Sequence, residues 1–245
     1  MLKVENVEVL GWEHAIRGMR NPLNSWEKSD SQFVRDPDYG CFGVCPCAEL
    51  VDCDCCHVGP NDLKLMNTLR NAGTDHRKFM RMITVYLDIA APLYWWKEFD
   101  TYKVGTVANS CSTMHKIADK EFTLEDFSHE HLLSMANNDA GDALFLNDAN
   151  NIRVDGDDLL GLIINVLNYY RGRYIKTKDK RYWWQLIQLL PSSYNQKRTV
   201  MLNYEVLANI YKSRRHHKLD EWHTLCDRIE SLPYSKLITG GVVDE

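Results

Sequence analysis

The stretch from Phe79 to His115 constrains this chain more than any other. In its first part Phe79, Arg81, Ile83, Val85, Leu87 and Ile89 occupy one parity, and Met80, Met82, Thr84 and Tyr86 the other. Both parities are largely apolar, which suits a strand covered on both faces, with a helix as the competing reading. Pro92 then opens a helix expected to run to about Lys103, with Leu93, Trp96 and Phe99 at helical spacing. Beyond it, Val-Gly-Thr-Val-Ala-Asn-Ser-Cys-Ser-Thr-Met-His offers many hydroxyl, thiol and amide groups and little bulk. A core helix accounts for the aromatic residues but not for that run, which reads as the floor of a site.

The sequence between Arg20 and His57 is rich in Asn, Pro, Ser, Asp and Gly, and residues 21–58 read as one long Cys-rich loop or insertion. Loops of this length inside a compact domain are uncommon and often functional. Arg20, Asn21, Ser25 and Trp26 are candidates to line a ligand pocket there, with a plain surface loop as the alternative. No linker separates the 245 residues, so residues 1–245 are expected to form a single domain. A net charge of -5 argues against a dedicated nucleic-acid binder, whose phosphate contacts need a basic face. The N-terminus carries charges throughout, and no apolar run is long enough to span a bilayer, so a cytoplasmic protein is expected.

The eight cysteines are then expected as thiols or metal ligands rather than disulfides. Cys41, Cys45, Cys47, Cys53, Cys55 and Cys56, with His57 beside them, lie within the loop. Their spacing contains no CxxC pair and no ferredoxin order, so no metal ligand is assigned; reduced thiols, some tucked into a core, are the simpler reading.

Elsewhere the chain reads as a strand over 2–10, a short helix from Trp12 to Met19, and a helix opened by Gly59-Pro60-Asn61 and stopped by Gly73. Thr123-Leu-Glu-Asp126 resembles a capping box that opens a helix toward Ala136, and Asp155-Gly156 reads as a turn. Helices are expected over Leu159–Tyr170, over Tyr182–Leu190 before Pro191, over Tyr194–Arg214 with Val200, Leu207 and Ile210 inward, and over Leu219–Ser231 before a loose tail.

From His76 onward the chain resembles the flavin-dependent thymidylate synthases. In that family a His-containing segment leads into a strand, an Ala-Pro step, and a helix ending in Arg-His-Arg, followed after seven residues by Ser. Here His76, the strand to Ile89, Ala91-Pro92, and Thr101-Tyr102-Lys103 with seven residues before Cys111 keep that spacing. A later helix of the family follows a Leu-Pro step and presents Asn, Asn and Arg; Leu190-Pro191 leads here to Asn203, Asn209 and Arg214 at the family's intervals. Leu219 to Trp222 is similar to its Ala-Gln-Trp-Glu segment with one residue inserted, which leaves Arg215 as an alternative to Arg214.

The resemblance implies an α+β fold with an antiparallel sheet packed with long helices, and a homotetramer with sites between subunits. It implies FAD as cofactor, with NADPH and methylene-tetrahydrofolate as co-substrates in the methylation of dUMP to dTMP. It implies flavin contacts at His76, Lys78, Thr101, Tyr102, Lys103, Asn109, Asn203 and Asn209, and substrate contacts at Glu98, Ser110, Cys111, Ser112, Arg214 and Arg215. Arg214 would hold the pyrimidine and polarise its ring.

The departures are chemical. Thr101, Tyr102 and Lys103 stand for Arg, His and Arg, Cys111 for Ser, Thr113 for a second substrate arginine, and Ile187 for a phosphate-contacting arginine. Charge-assisted bonds to phosphate are worth about 1.5–3 kcal/mol each, so Lys103, Lys78, Arg81 or Arg20 would have to compensate. Two further readings follow: a non-catalytic nucleotide-binding or interaction protein, and a metal-binding module organised by the cysteine loop.

Overall fold

A computed structural model describes residues 2–33, 52–53, 56–134, 144–147 and 152–240. In chain order the elements are β1 (Lys3–Leu10), α1 (Trp12–Arg20), β2 (Gln32–Phe33), β3 (Asp52–Cys53), β4 (Cys56–His57), α2 (Pro60–Asn71), β5 (Thr84–Pro92), α3 (Leu93–Phe99), β6 (Val107–Ser110), α4 (Thr113–Lys116), β7 (Leu144–Asn147), β8 (Ile152–Val154), α5 (Gly156–Thr177), α6 (Lys180–Leu189), β9 (Asn195–Asn203), α7 (Tyr204–Arg214), α8 (Asp220–Glu230) and α9 (Lys236–Thr239). Short 3-10 segments lie at Asn21–Leu23, Trp26–Lys28, Arg77–Arg81 and Leu124–Asp126. The fold is α+β: a five-stranded sheet of order β3-β1-β5-β9-β6, in which β1 pairs antiparallel with β5, accompanied by helices. The small β3 pairs parallel with β1. Among the described residues no helix is long and apolar enough to cross a membrane.

The chain forms two compact units, and the divisions fall within β5, α3, β6 and β9. Among the described residues, the sheet unit draws on 2–90, 99–109 and 198–240, and the helical unit on 91–98 and 110–197.

In the sheet unit the strand expected from Phe79 begins only at Thr84. Phe79 and Met80 are buried in the 3-10 helix before it, so they contribute to the core from a helical turn. Val85, Leu87, Ile89 and Ala91 are buried along β5 while Thr84, Tyr86, Asp88 and Ala90 are not. One face is therefore covered, not two, and the apparent second apolar parity came from methionines that precede the strand. Gly11, at φ 94°, links β1 to α1; a Cβ there would lie 2.1 Å from the Met82 carbonyl oxygen, so only glycine permits this approach. Trp12, Ala15, Ile16 and Met19 then form the buried stripe of α1.

The expected helix over Tyr194–Arg214 is a strand followed by a helix. Val200 and Leu202 are buried with strand periodicity, and Asn203 ends the strand by capping α7, its side-chain oxygen accepting from the Val206 N–H at 3.1 Å. An asparagine favours an N-cap over a helix interior because its side chain satisfies an orphan backbone donor. The expected loose tail is also partly structured, with Leu237 and Ile238 buried in α9.

The helical unit is built on α5 and α6, whose Leu160, Leu167 and Leu186 join Ile117, Phe122 and Phe127 in an apolar cluster. The capping box at Thr123 forms, but it opens a single 3-10 turn rather than a helix toward Ala136, since Phe127 immediately bridges to Tyr194. Asp155 caps α5 through the Asp158 N–H, which makes Asp155-Gly156 a helix start and lengthens the helix expected over Leu159–Tyr170. Helix α3 stops at Phe99, short of the expected Lys103.

Of the cysteine loop, Cys41, Cys45, Cys47 and Cys55 lie outside the described residues. Cys56 is buried on β4. Among the described residues no group of His, Cys, Asp and Glu is arranged to hold a metal ion.

Arg20 and Asp62 organise the segment that follows α1. Asp62 has no exposed surface and accepts from Arg20 Nε at 2.7 Å, Ser29 Oγ at 2.7 Å, Ser31 Oγ at 2.6 Å, and the Asp30 and Ser31 N–H groups. Burial pushes its carboxyl up, but the hydrogen bonds from Ser31, Ser29 and Arg20 outweigh that and hold it below the usual aspartate value. Asp62→Ala would leave Arg20 buried without its counter-charge and is expected to destabilise the fold by about 3–5 kcal/mol in urea denaturation. Because the carboxyl is held low in the fold, its contribution is present above the ordinary aspartate pKa and fades as pH falls. The stability gap between wild type and Asp62→Asn should be level near neutrality and narrow below about pH 4.

Candidate functional site

The sheet unit carries most of the sequence candidates, disposed around α7. At its start, the Asn203 cap sits beside Gly105: a Cβ on that glycine, at φ 78°, would lie 3.0 Å from Asn203 Nδ2. At its end Arg214 and Arg215 diverge. Arg214 Nε donates to the Tyr102 hydroxyl at 2.9 Å, and its guanidinium carbon lies 4.8 Å from the centre of the Trp222 ring and 5.6 Å from that of Tyr102. Phe99 stacks on Trp222 at 6.4 Å, and Tyr102 and His217 each meet Trp222 in an edge-to-face arrangement. A guanidinium held over an indole is stabilised by the ring quadrupole and fixed in orientation. Arg215 instead pairs with Asp227 at 2.5 Å and Glu230 at 3.4 Å. The two arginines left open as alternatives by the sequence thus have different surroundings.

Thr101 and Lys103 are exposed on either side of the half-buried Tyr102, and Val104 beyond them is 92% exposed. Asn109 is exposed on β6. Asn209 is exposed on α7 and, with Arg215, lines a cavity of about 490 Å³.

A larger cavity, about 1030 Å³, is lined by Arg20, Ser25, His76 and Lys78 among others. His76 is exposed and does not cap the helix after it. Asn21 and Trp26 are not among the lining residues; they bond to each other, Trp26 Nε1 to Asn21 Oδ1 at 2.8 Å. Of the cations considered as replacements for the missing arginines, Arg20 is buried against Asp62 and donates also to the Ser25 and Lys28 carbonyls. Arg81 is paired with Glu205, which also accepts from Arg77 at 3.1 Å. Burial pushes the Glu205 carboxyl up, but hydrogen bonds from Arg81 and Arg77 outweigh it and hold the carboxyl low. Lys78 and Lys103 have no carboxylate partner among the described residues.

The helical unit holds the remaining candidates. Glu98 is partly exposed near the end of α3, Ser110 and Cys111 are exposed, and Ser112 caps α4 by accepting from the His115 N–H at 3.1 Å. The backbone of Cys111 is held on both sides: its N–H donates to the Lys197 carbonyl at 2.9 Å, and its carbonyl accepts from Gln196 Nε2 at 3.1 Å. Ile187, at the position of a phosphate-contacting arginine in the resemblance, packs against the apolar cluster. Trp95 and Trp96 are core residues.

Sequence reasoning missed the Tyr102–Arg214–Trp222 arrangement as a unit and the pairing of Glu205 with Arg77 and Arg81. Both join residues more than a hundred positions apart or helices of different segments, and only the presence of aromatic and oppositely charged residues was visible.

No protein-family model matches this sequence, and no curated protein sequence does. Solved structures do. A flavin-dependent thymidylate synthase from Helicobacter pylori, complexed with FAD and dUMP, is 16% identical with a TM-score of 0.60, over 96% of this chain and 99% of that one. A second structure of the Helicobacter pylori enzyme with FAD and dUMP gives a TM-score of 0.57 at 16% identity, covering 96% and 98%. A UMP/dUMP methylase from Streptomyces cacaoi bound with 5-Br UMP gives 0.54 at 13% identity, covering 94% and 88%. The chain has the fold of the flavin-dependent thymidylate synthases.

Proposed function

We propose that this protein is a flavin-dependent thymidylate synthase-like enzyme that binds FAD and methylates dUMP to dTMP with reduced nicotinamide and methylene-tetrahydrofolate. The observation that carries the reading is Arg214: the arginine that the resemblance assigns to the pyrimidine is held over the Trp222 ring and bonded to the Tyr102 hydroxyl. The structural neighbours bound to dUMP and to 5-Br UMP support the substrate class.

The residues present fit a flavin. The Asn209 carboxamide and the Asn203 amide nitrogen have no hydrogen-bond partner among the described residues, which leaves them available to the polar edge of a flavin ring. Lys103 and Lys78 supply uncommitted positive charge for its phosphates, as point charges without the bidentate fork of arginine. Thr101, Tyr102, Asn109 and His76 complete the proposed cofactor contacts. When bound, FAD supplies the redox chemistry. Arg214 orients the pyrimidine and stabilises negative charge developing on its ring, and Tyr102 and Trp222 keep it from rotating away. Glu98, Ser110, Cys111, Ser112 and Arg215 are further proposed substrate contacts, as the resemblance implies, with Cys111 serving as a small residue in place of serine. The reading places the protein in the cytoplasm.

The quaternary expectation is a homotetramer. Leu159, Leu162 and Tyr169 are exposed on α5 at helical spacing, an apolar stripe that further copies would cover. Light scattering should give four times the chain mass, and Leu162→Glu should lower it.

A second reading, a nucleotide-binding protein without catalysis, is favoured by one observation: Arg20 and Arg81 are held by Asp62 and Glu205, so the lost phosphate-binding arginines are not replaced by arginines from these positions. The absorbance spectrum after addition of FAD and desalting separates the two. A retained flavin band near about 450 nm supports the enzyme; a flat spectrum with intact dUMP binding supports the second reading. Calorimetric titration of Arg214→Ala with dUMP should show a loss of about 1.5–3 kcal/mol, roughly 10- to 150-fold in affinity, with circular dichroism unchanged. Wild-type affinity in that variant would remove Arg214 from the site.

A further inference from the structure

The cavity of about 490 Å³ beside the end of α7 shares Asn209 and Arg215 with the proposed flavin and substrate contacts, and it carries a charge imbalance in which Arg70, Arg77 and Lys212 have no part in those assignments. Arg70 from the last turn of α2, Arg77 from the 3-10 helix, and Lys212, Arg215 and His216 from the end of α7 all line it, against Glu230 as its single acidic lining residue among the described residues. Glu230 is already engaged by the Tyr211 hydroxyl at 2.5 Å and by Arg215. Arg77 is held by Glu205 and Arg215 by Asp227. Lys212 and His216 have no carboxylate partner among the described residues.

Arg70 is the informative member. Its donors go to neutral oxygens: Nε to the Leu237 carbonyl at 2.8 Å, Nη1 to Asn71 Oδ1 at 2.9 Å, and Nη2 to the Ile238 carbonyl at 3.4 Å. No carboxylate balances it among the described residues. Burial and the positive charge of Arg77 pull its guanidinium below the usual arginine value. Two guanidinium groups beside one another in a partly desolvated cavity repel, and an anion between them relieves the repulsion while accepting charge-assisted hydrogen bonds.

We propose that this cavity is an oligophosphate site, in which Arg70, Arg77 and Lys212 hold a di- or triphosphate group. Cations arriving from α2, the 3-10 helix and α7 surround one concavity rather than forming a flat basic face, and its volume is in the range of small-molecule sites. Arg214 is directed to Tyr102 and Trp222 and does not line this cavity, whereas Asn209 and Arg215 do, so the oligophosphate reading rests beside the proposed flavin and substrate contacts and is tested at Lys212, which has no part in them. The anion is either inorganic oligophosphate or the phosphate tail of a nucleotide; the chemistry they share is the clustered phosphate charge.

The test is calorimetric titration of the full chain with tripolyphosphate and, separately, with ATP, at low and at 0.3 M salt as a roughly chosen screening condition. Tripolyphosphate is expected to bind at low salt, more weakly at high salt, and at least tenfold more weakly to Lys212→Glu. ATP binding more tightly than tripolyphosphate would assign the site to nucleotides; equal or weaker binding would assign it to inorganic oligophosphate. Arg70→Met gives a second reading, with circular dichroism as the check on α9, which Arg70 also tethers. Lys212→Glu, at an exposed position, keeps the test valid where Arg70→Met unfolds. Affinity for dUMP should be the same in Lys212→Glu and wild type, which separates this site from the one tested by Arg214→Ala. Absence of tripolyphosphate binding, or equal affinity in wild type and Lys212→Glu, overturns the proposal.

Discussion

The turn from strand to helix at Asn203–Tyr204–Glu205 is the constraint on which the sheet unit depends. Asn203 closes β9 and caps α7. Tyr204, fully buried, donates its N–H to the Ile83 carbonyl and its hydroxyl to the Pro233 carbonyl, and its ring meets Trp12 edge-on. Glu205 then gathers Arg77 and Arg81 from the 3-10 helix before β5. The backbone and side chain of Tyr204 and the side chain of Glu205 thus tie the start of α7 to the residues before β5, to the segment after α8, and to α1. A buried tyrosine hydroxyl without its acceptor would cost the desolvation of the group, so these bonds fix where α7 begins as well as stabilising it.

Everything proposed about the site follows from that placement. Helix α7 is short, so its beginning determines which way its last turn presents Arg214, Arg215 and His216. Successive residues on a helix are separated by about 100° around the axis, and two adjacent arginines therefore serve different surroundings: Arg214 lies on Trp222, Arg215 lines the basic cavity. Within one turn of helix a candidate pyrimidine-holding cation adjoins a candidate phosphate-holding cluster. Aromatic rings hold Arg214, whereas carboxylates hold Arg77 and Arg215 of the cluster and leave Arg70 and Lys212 without one among the described residues.

Much of the fold was legible from local pattern. The α1 stripe, the Pro60 start of α2, the Pro191 stop after α6 and the extent of α8 are set by spacing and by residues that begin or end helices, which act within a few positions of themselves. The errors share a cause. The helix expected from Tyr194 to Arg214 fused two elements because Val200, Leu207 and Ile210 satisfy a helical period while Val200 and Leu202 also satisfy a strand; the strand's place in the sheet decided between them. The strand expected from Phe79 was too long because Met80 is apolar whether it belongs to a strand or to a buried 3-10 turn. The capping box at Thr123 formed as read, yet Phe127 was drawn into pairing with Tyr194 before a helix could extend.

By itself the sequence determined the helix boundaries that carry their own caps and breakers and the order of Asn203, Asn209 and Arg214, because periodicity, capping and spacing are properties of neighbouring residues; the α+β class came from the family resemblance those spacings carry. Only the tertiary structure decided that Asn203 is a cap, that Arg20 is a buried counter-ion of Asp62 rather than a spare cation, that Arg214 rests on Trp222, and that Arg70 stands without a carboxylate among the described residues. Each of those depends on a partner between about ten and more than a hundred residues away in the chain or on a backbone that changes from strand to helix. Coulomb attraction, ring stacking and desolvation act through space, and the chain must fold before they have a direction.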